Sequence, residues 1–66
     1  MKLVKTLVRK VDFGGRYIKE GTTGCVIDSW VENDQNIYAV NFGKIWSVAY
    51  REDELEVIEN EQNNQN

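Results

Sequence analysis

Residues 46–58 read Trp46-Ser47-Val48-Ala49-Tyr50-Arg51-Glu52-Asp53-Glu54-Leu55-Glu56-Val57-Ile58. An apolar, β-prone run gives way to four charged residues, and a short apolar ending follows. The first run extends back to Ile45 and predicts one strand, 45–50. The charged residues 51–54 suit a single turn of 3₁₀ helix. Leu55, with Val57 or Ile58, then forms a short closing strand. Upstream, Gly43-Lys44 marks a tight turn and Ile37–Phe42 a further strand. Glu32-Asn33-Asp34-Gln35-Asn36 is a polar hairpin loop, preceded by a strand over Cys25–Val31. Short strands at this spacing predict an all-β domain closed as a small barrel.

The first twenty residues are less decided. Leu3, Val4, Leu7, Val8 and Val11 fall at helical spacing. The same stretch alternates as a strand, with Leu7, Arg9 and Val11 on one face and Val8 and Lys10 on the other. Its three valines and one threonine favour a strand over 4–11. Residues 12–22 are a long loop in which Gly14-Gly15 allows positive φ. There Phe13, Tyr17 and Ile18 are expected to cap an open barrel end. Gly21 and Gly24 mark a bend, a bulge or a close approach of backbones.

In the Cys25–Val31 strand, one face carries Cys25, Ile27, Ser29 and Val31, and the other Val26, Asp28 and Trp30. The first reads as the core face, which puts Trp30 outside or at a rim. The expected core is Leu7, Val11, Cys25, Ile27, Val40, Phe42, Val48 and Leu55. The architecture read from this order is a five-stranded SH3-like barrel over residues 1–58, with a disordered polar tail, 59–66.

Sixty-six residues allow one domain near the lower limit for an independent core. The 41% apolar content, with two Trp, three Tyr and two Phe, suits folding alone, because aromatic side chains bury much area each. One cysteine excludes an internal disulfide, and with no histidine a structural zinc site lacks its usual ligands. No apolar run is long enough to span a membrane, and the charged N-terminus lacks a signal-peptide core. The expectation is a cytoplasmic protein without membrane insertion. Charge is uneven. Residues 1–20 carry six bases against two acids (+4), and residues 21–66 two bases against nine acids (−7). An ordinary solvated surface accounts for this, and so does a pair of oppositely charged patches for different partners.

Chemistry-bearing constellations are absent. A nucleophilic Cys25 would need a base beside it, and its strand position favours burial. The acids at 52–59 lie along one short stretch, unlike carboxyls held apart around a pocket. The glycines match neither phosphate-binding spacing, and no loop has the calcium-binding alternation. The expectation is a non-enzyme without cofactor or metal. Trp30, Tyr38, Trp46 and Tyr50 could stack the bases of a single-stranded nucleic acid, but they lie in the acidic half of the chain. Proline-rich peptide binding is disfavoured, because the ALYDY-like segment, the paired tryptophans and the groove proline are missing.

Three pieces carry a family resemblance: Gly21-Thr22-Thr23-Gly24-Cys25-Val26, Ile37-Tyr38-Ala39-Val40-Asn41-Phe42 and Tyr50-Arg51-Glu52-Asp53-Glu54-Leu55-Glu56-Val57-Ile58. In them the chain resembles the variable subunit of ferredoxin–thioredoxin reductase. More distantly it resembles the peripheral ferredoxin-docking subunit of photosystem I. It is also similar to small stand-alone bacterial domains of the same shape. The resemblance implies a non-catalytic accessory or docking subunit of an electron-transfer assembly, with cluster and redox cysteines held by another chain. Its docking surfaces are basic, so Lys2, Lys5, Arg9, Lys10, Arg16 and Lys19 are the residues that could serve. The partner-binding candidates are Arg9, Lys10, Arg16, Tyr17, Lys19, Trp30 and Trp46, meeting a protein partner. An antitoxin- or immunity-like regulator and a weak single-strand binder are the alternatives.

Overall fold

The computed structural model describes residues 2–43 and 47–59. The chain is all-β. Its strands are β1 (Leu3–Thr6), β2 (Lys10–Val11), β3 (Tyr17–Ile18), β4 (Thr23–Glu32), β5 (Gln35–Asn41), β6 (Val48–Arg51) and β7 (Leu55–Glu59), and a 3₁₀ turn, Glu52–Glu54, separates the last two. Five strands form one antiparallel sheet in the order β6-β5-β4-β1-β7, while β2 and β3 make a separate hairpin. No pairing joins β6 to β7 among the described residues, so the sheet is open. The expected closed, five-stranded barrel is therefore corrected to an open sheet plus hairpin, with seven strands among the described residues. Among the described residues, no helix is long and apolar enough to cross a membrane.

The single strand expected over 4–11 is broken after Thr6, for a physical reason. Thr6 is buried, and its hydroxyl donates to the Lys19 carbonyl at 3.0 Å while accepting the Thr22 N–H at 3.2 Å. Its own carbonyl accepts the Gly21 N–H at 2.7 Å, and Gly21 has φ +88°, a conformation glycine adopts without strain. These bonds draw the chain off the sheet and start the excursion that carries β2 and β3. Within it, the loop expected over 12–22 contains a strand. Asp12 accepts the Gly15 N–H, Gly15 is left-handed, and Asp12 N–H returns to the Arg16 carbonyl. That is a three-residue hairpin loop with a glycine bulge.

The core is Val4, Val40, Tyr50 and Leu55, with Val8, Val26, Tyr38, Phe42 and Val48 packed against it. Phe42 meets Tyr50 edge-on, with ring centroids 6.1 Å apart. Gly24 is the close-approach glycine: a Cβ there would lie 2.7 Å from both Phe42 and Val40. Of the expected core, Val40 and Leu55 are buried, and Phe42 and Val48 flank them. Leu7, Val11, Cys25 and Ile27 are exposed and are corrected. Leu7 lies just past the break at Thr6. Val11 sits on the small hairpin, away from the cluster.

Cys25 and Ile27 were placed inward by uninterrupted alternation, but the β4–β5 register slips between Val26 and Asp28. Residues facing each other across a ladder share a face. Gly24 and Val26 therefore face the core before the irregularity, and Ser29 and Val31 take that face after it. One inserted residue changes the parity of a strand. Of the expected strand over 45–50, Ser47 is outside any strand and β6 begins at Val48; Lys44, Ile45 and Trp46 lie outside the described residues. Of the expected tail, Glu59 is the end of β7, paired with Leu3, and residues 60–66 also lie outside the described residues.

Candidate docking surface

The β2–β3 hairpin brings together five of the sequence candidates. Arg9 precedes β2, Lys10 is in it, Arg16 precedes β3, Tyr17 opens it, and Lys19 follows it. Two-residue strands cannot hold their own geometry in water, so side chains must fix the hairpin. Lys10 is the principal tie. Its Nζ lies 2.9 Å from Glu54 Oε1, donates to the Ala49 carbonyl at 3.2 Å, and sits 5.0 Å from the centre of the Tyr50 ring.

Glu54 is buried at 7% exposure. It accepts the Arg51 backbone N–H at 2.8 Å, and its second oxygen is 3.3 Å from Arg51 Nη2. Burial pushes its carboxyl up. The Arg51 N–H and the Lys10 ammonium, with the Arg51 charge, outweigh that and hold it below the ordinary carboxylate value. Tyr50 is pushed up to about 12, by burial first and by the Glu54 charge second. Among the described residues its hydroxyl has no hydrogen-bond partner.

The outward side of the hairpin is different. Tyr17 is 67% exposed, and the Arg9 guanidinium stacks 5.0 Å from its ring centre. Arg16 pairs with Asp12 at 3.2 Å, and its N–H bonds Asp12 Oδ1 at 2.8 Å. That N–H, more than any other group, holds the Asp12 carboxyl below its ordinary value; burial opposes it, and the Arg16 charge adds to it. Lys19 is exposed, and its carbonyl anchors Thr6 and Thr22. Between hairpin and sheet runs a groove of about 380 Å³. Tyr17, Ile18, Phe42 and Val48 give it apolar walls, and Asp12, Arg16 and Lys19 bring charge.

Trp30 is not part of this surface. It lies on β4 opposite Ile37, on the sheet face turned away from Tyr38 and Val40. Trp46 lies outside the described residues. Sequence reading grouped Trp30 with the basic residues only because both are plausible contacts. The order of faces along β4, which separates them, depends on the irregularity at Ile27. The tie from Lys10 to Glu54 went unread because the two stand 44 positions apart in the sequence with no spacing rule between them. Comparison with protein-family models, with curated proteins and with solved structures returned no match.

Proposed function

We propose that the chain is an SH3-like docking module without catalytic chemistry, serving as an accessory subunit of a protein complex. The observation that carries this reading is Tyr17, two-thirds exposed beneath the Arg9 guanidinium and opening onto a largely apolar groove. Aromatic and arginine side chains on a fixed element are the groups that dominate protein–protein contacts. The hairpin is fixed from behind by Lys10, so this pair is presented with little freedom left to lose on binding. The strand order and the hairpin between β1 and β4 are in keeping with an SH3-like architecture.

The resemblance to ferredoxin-linked subunits makes an electron-transfer assembly the first place to look, with the basic hairpin meeting an acidic partner. The test is capture from native lysate with the intact chain and with Arg9→Ala/Tyr17→Ala. A protein retained by the first and lost by the second supports docking through the hairpin. If it also carries an iron–sulfur cluster or flavin, the electron-transfer form is supported. Retention of nothing specific, or retention indifferent to both substitutions, rejects the reading.

A further inference from the structure

The β4–β5 hairpin carries a second surface, on a different element and of opposite charge. Every residue from Ile27 to Asn36 is exposed, although Asp28–Glu32 pair along β5 with Gln35–Ala39. This arm nevertheless holds the large apolar side chains of Ile27, Trp30 and Val31 in solvent. Alternation places Asp28, Trp30 and Glu32 in one row on one face, and Ile37 stands across from Trp30. The Trp30 Nε1–H donates to Glu32 Oε1 at 3.3 Å, which orients the ring. An indole is thus bracketed by two carboxylates, each two residues away.

The face of an indole attracts an ammonium or guanidinium group, and a carboxylate at the same place pairs with it. Charge selects the occupant further. From Gly21 to Gly43 the chain has no Lys or Arg, and Arg51, which stands across β5 from Ile37 on this same face, has its guanidinium at Asp53 and Glu54. Near the turn, Asp34, Glu52 and Asp53 line a polar recess with Arg51.

We infer that the arm docks a Lys- or Arg-bearing segment of another protein, whose cation lies on Trp30 between Asp28 and Glu32. A second copy is the poorer occupant. Arm against arm sets like charges together, and two bases of the small hairpin, Lys10 and Arg16, are already in ion pairs with Glu54 and Asp12; Arg9 and Lys19 are exposed, so a copy meeting the arm through its hairpin is the outcome that sedimentation separates. Nucleic acid is repelled by the same carboxylates. With the hairpin reading, this gives a module with a basic and an acidic docking face. The arm stands or falls on its own residues.

The test is two-dimensional NMR on the ¹⁵N-labelled full chain, following the Trp30 indole and the β4 and β5 amides. The probes are a decapeptide alternating lysine with alanine and its glutamate counterpart, at low and high salt. The lysine peptide should shift the Trp30 indole and the arm amides saturably, and the glutamate peptide should not. Trp30→Ala, and separately Asp28→Asn/Glu32→Gln, should each weaken binding by roughly tenfold. Arg9→Ala/Tyr17→Ala should bind as the parent does, so failure of the hairpin reading is distinguishable. Absence of shifts at millimolar peptide, shifts confined to Tyr17 and Ile18, or affinity indifferent to Asp28→Asn/Glu32→Gln would each overturn the proposal. So would a dimer in sedimentation that Trp30→Ala dissolves, which would assign the arm to a second copy.

Discussion

The two hairpins of this chain are held in opposite ways. The β2–β3 hairpin has two residues per strand and depends on side chains reaching elsewhere: Lys10 to Glu54, Ala49 and Tyr50, and Thr6 to the backbone of Lys19 and Thr22. The β4–β5 hairpin has ten- and seven-residue strands joined along a continuous ladder; Ile37–Val40 pair with β6 as well, and Asn36 Nδ2 donates to Glu52 Oε1 at 3.0 Å. Its turn, Asn33-Asp34, has both residues at positive φ, the backbone that matches strand twist in a two-residue connection. A short hairpin becomes rigid by being tied down. A long one persists by pairing, and so can keep apolar groups exposed. Both display an aromatic side chain to solvent, Tyr17 on one and Trp30 on the other, but disturbances should reach them by different routes.

The largest effect should abolish the contrast. Tyr50 is 1% exposed, packs on Phe42, and carries the Lys10 ammonium on its ring. Tyr50→Ala should cost about 3–5 kcal/mol, comparable with the whole stability of a domain this small. Thermal melting followed by circular dichroism should show most of the chain unfolded near room temperature. A cooperative transition little changed from the parent would mean that the core does not rest on Tyr50.

The next effect should separate the two hairpins. Lys10→Met removes the tie and leaves Glu54 with Arg51 alone. Because Lys10 is partly exposed, the loss should be about 1–2 kcal/mol, below that for breaking a fully buried pair. Hydrogen exchange should then accelerate at β2 and β3 amides while protection along β4 and β5 holds. Equal acceleration in both would show that the hairpins open together.

This contrast was only partly legible in the sequence. The β-type runs and a 3₁₀ turn within residues 51–54 follow from local chemistry, and the structure has them; the polar loop expected over 32–36 is a two-residue turn, Asn33-Asp34, with Glu32, Gln35 and Asn36 in the strands. Val40 and Leu55 were legible as core for the same reason. Cys25 and Ile27 were misread because a register irregularity is invisible to alternation: Val26 and Asp28 differ by two positions yet lie on opposite faces. The break after Thr6 was hidden because it is made by hydrogen bonds to residues 13 and 16 positions away. Openness of the sheet depends on whether its edges meet, which no local pattern encodes. At the candidate site the basic residues and Tyr17 were legible one by one. That Lys10 is fastened inward, while Arg9 and Tyr17 stack outward, was not.

Titration should sharpen the same comparison. Glu54 and Asp12 have carboxyls held below their ordinary values in the fold, so the unfolded chain binds protons more readily. Their contribution is present above the ordinary carboxylate range and is lost as pH falls through the depressed values. Both groups belong to the fastening of β2–β3, so exchange there should rise in acid before it rises in the arm. Glu54→Gln should remove much of that dependence. Tyr50 has the opposite sign: raised from 10.0 to about 12, it contributes below pH 10, and the contribution is lost as pH climbs toward 12. Tyr50→Phe should flatten the alkaline limb and leave the acid limb in place. An unchanged alkaline limb would place the titrating group elsewhere.

The smallest effect should favour the arm alone. Asp34 holds φ at +62°, where its Cβ crowds the following carbonyl, whereas glycine has no such conflict. Asn-Gly is the preferred pair for this turn, so Asp34→Gly should stabilise the arm by roughly 0.5–1 kcal/mol. It also removes one carboxylate, which trims the acid field near Trp30 without touching the Asp28–Trp30–Glu32 row. Amide exchange in β4 and β5 beyond the irregularity should slow by a few fold, while β2 and β3 stay as they were. If exchange at the small hairpin slows in step, the arm is coupled to the body and its ladder is not self-sufficient. If the arm alone responds, pairing is what holds Trp30 in solvent. The two candidate docking faces can then be altered independently of one another.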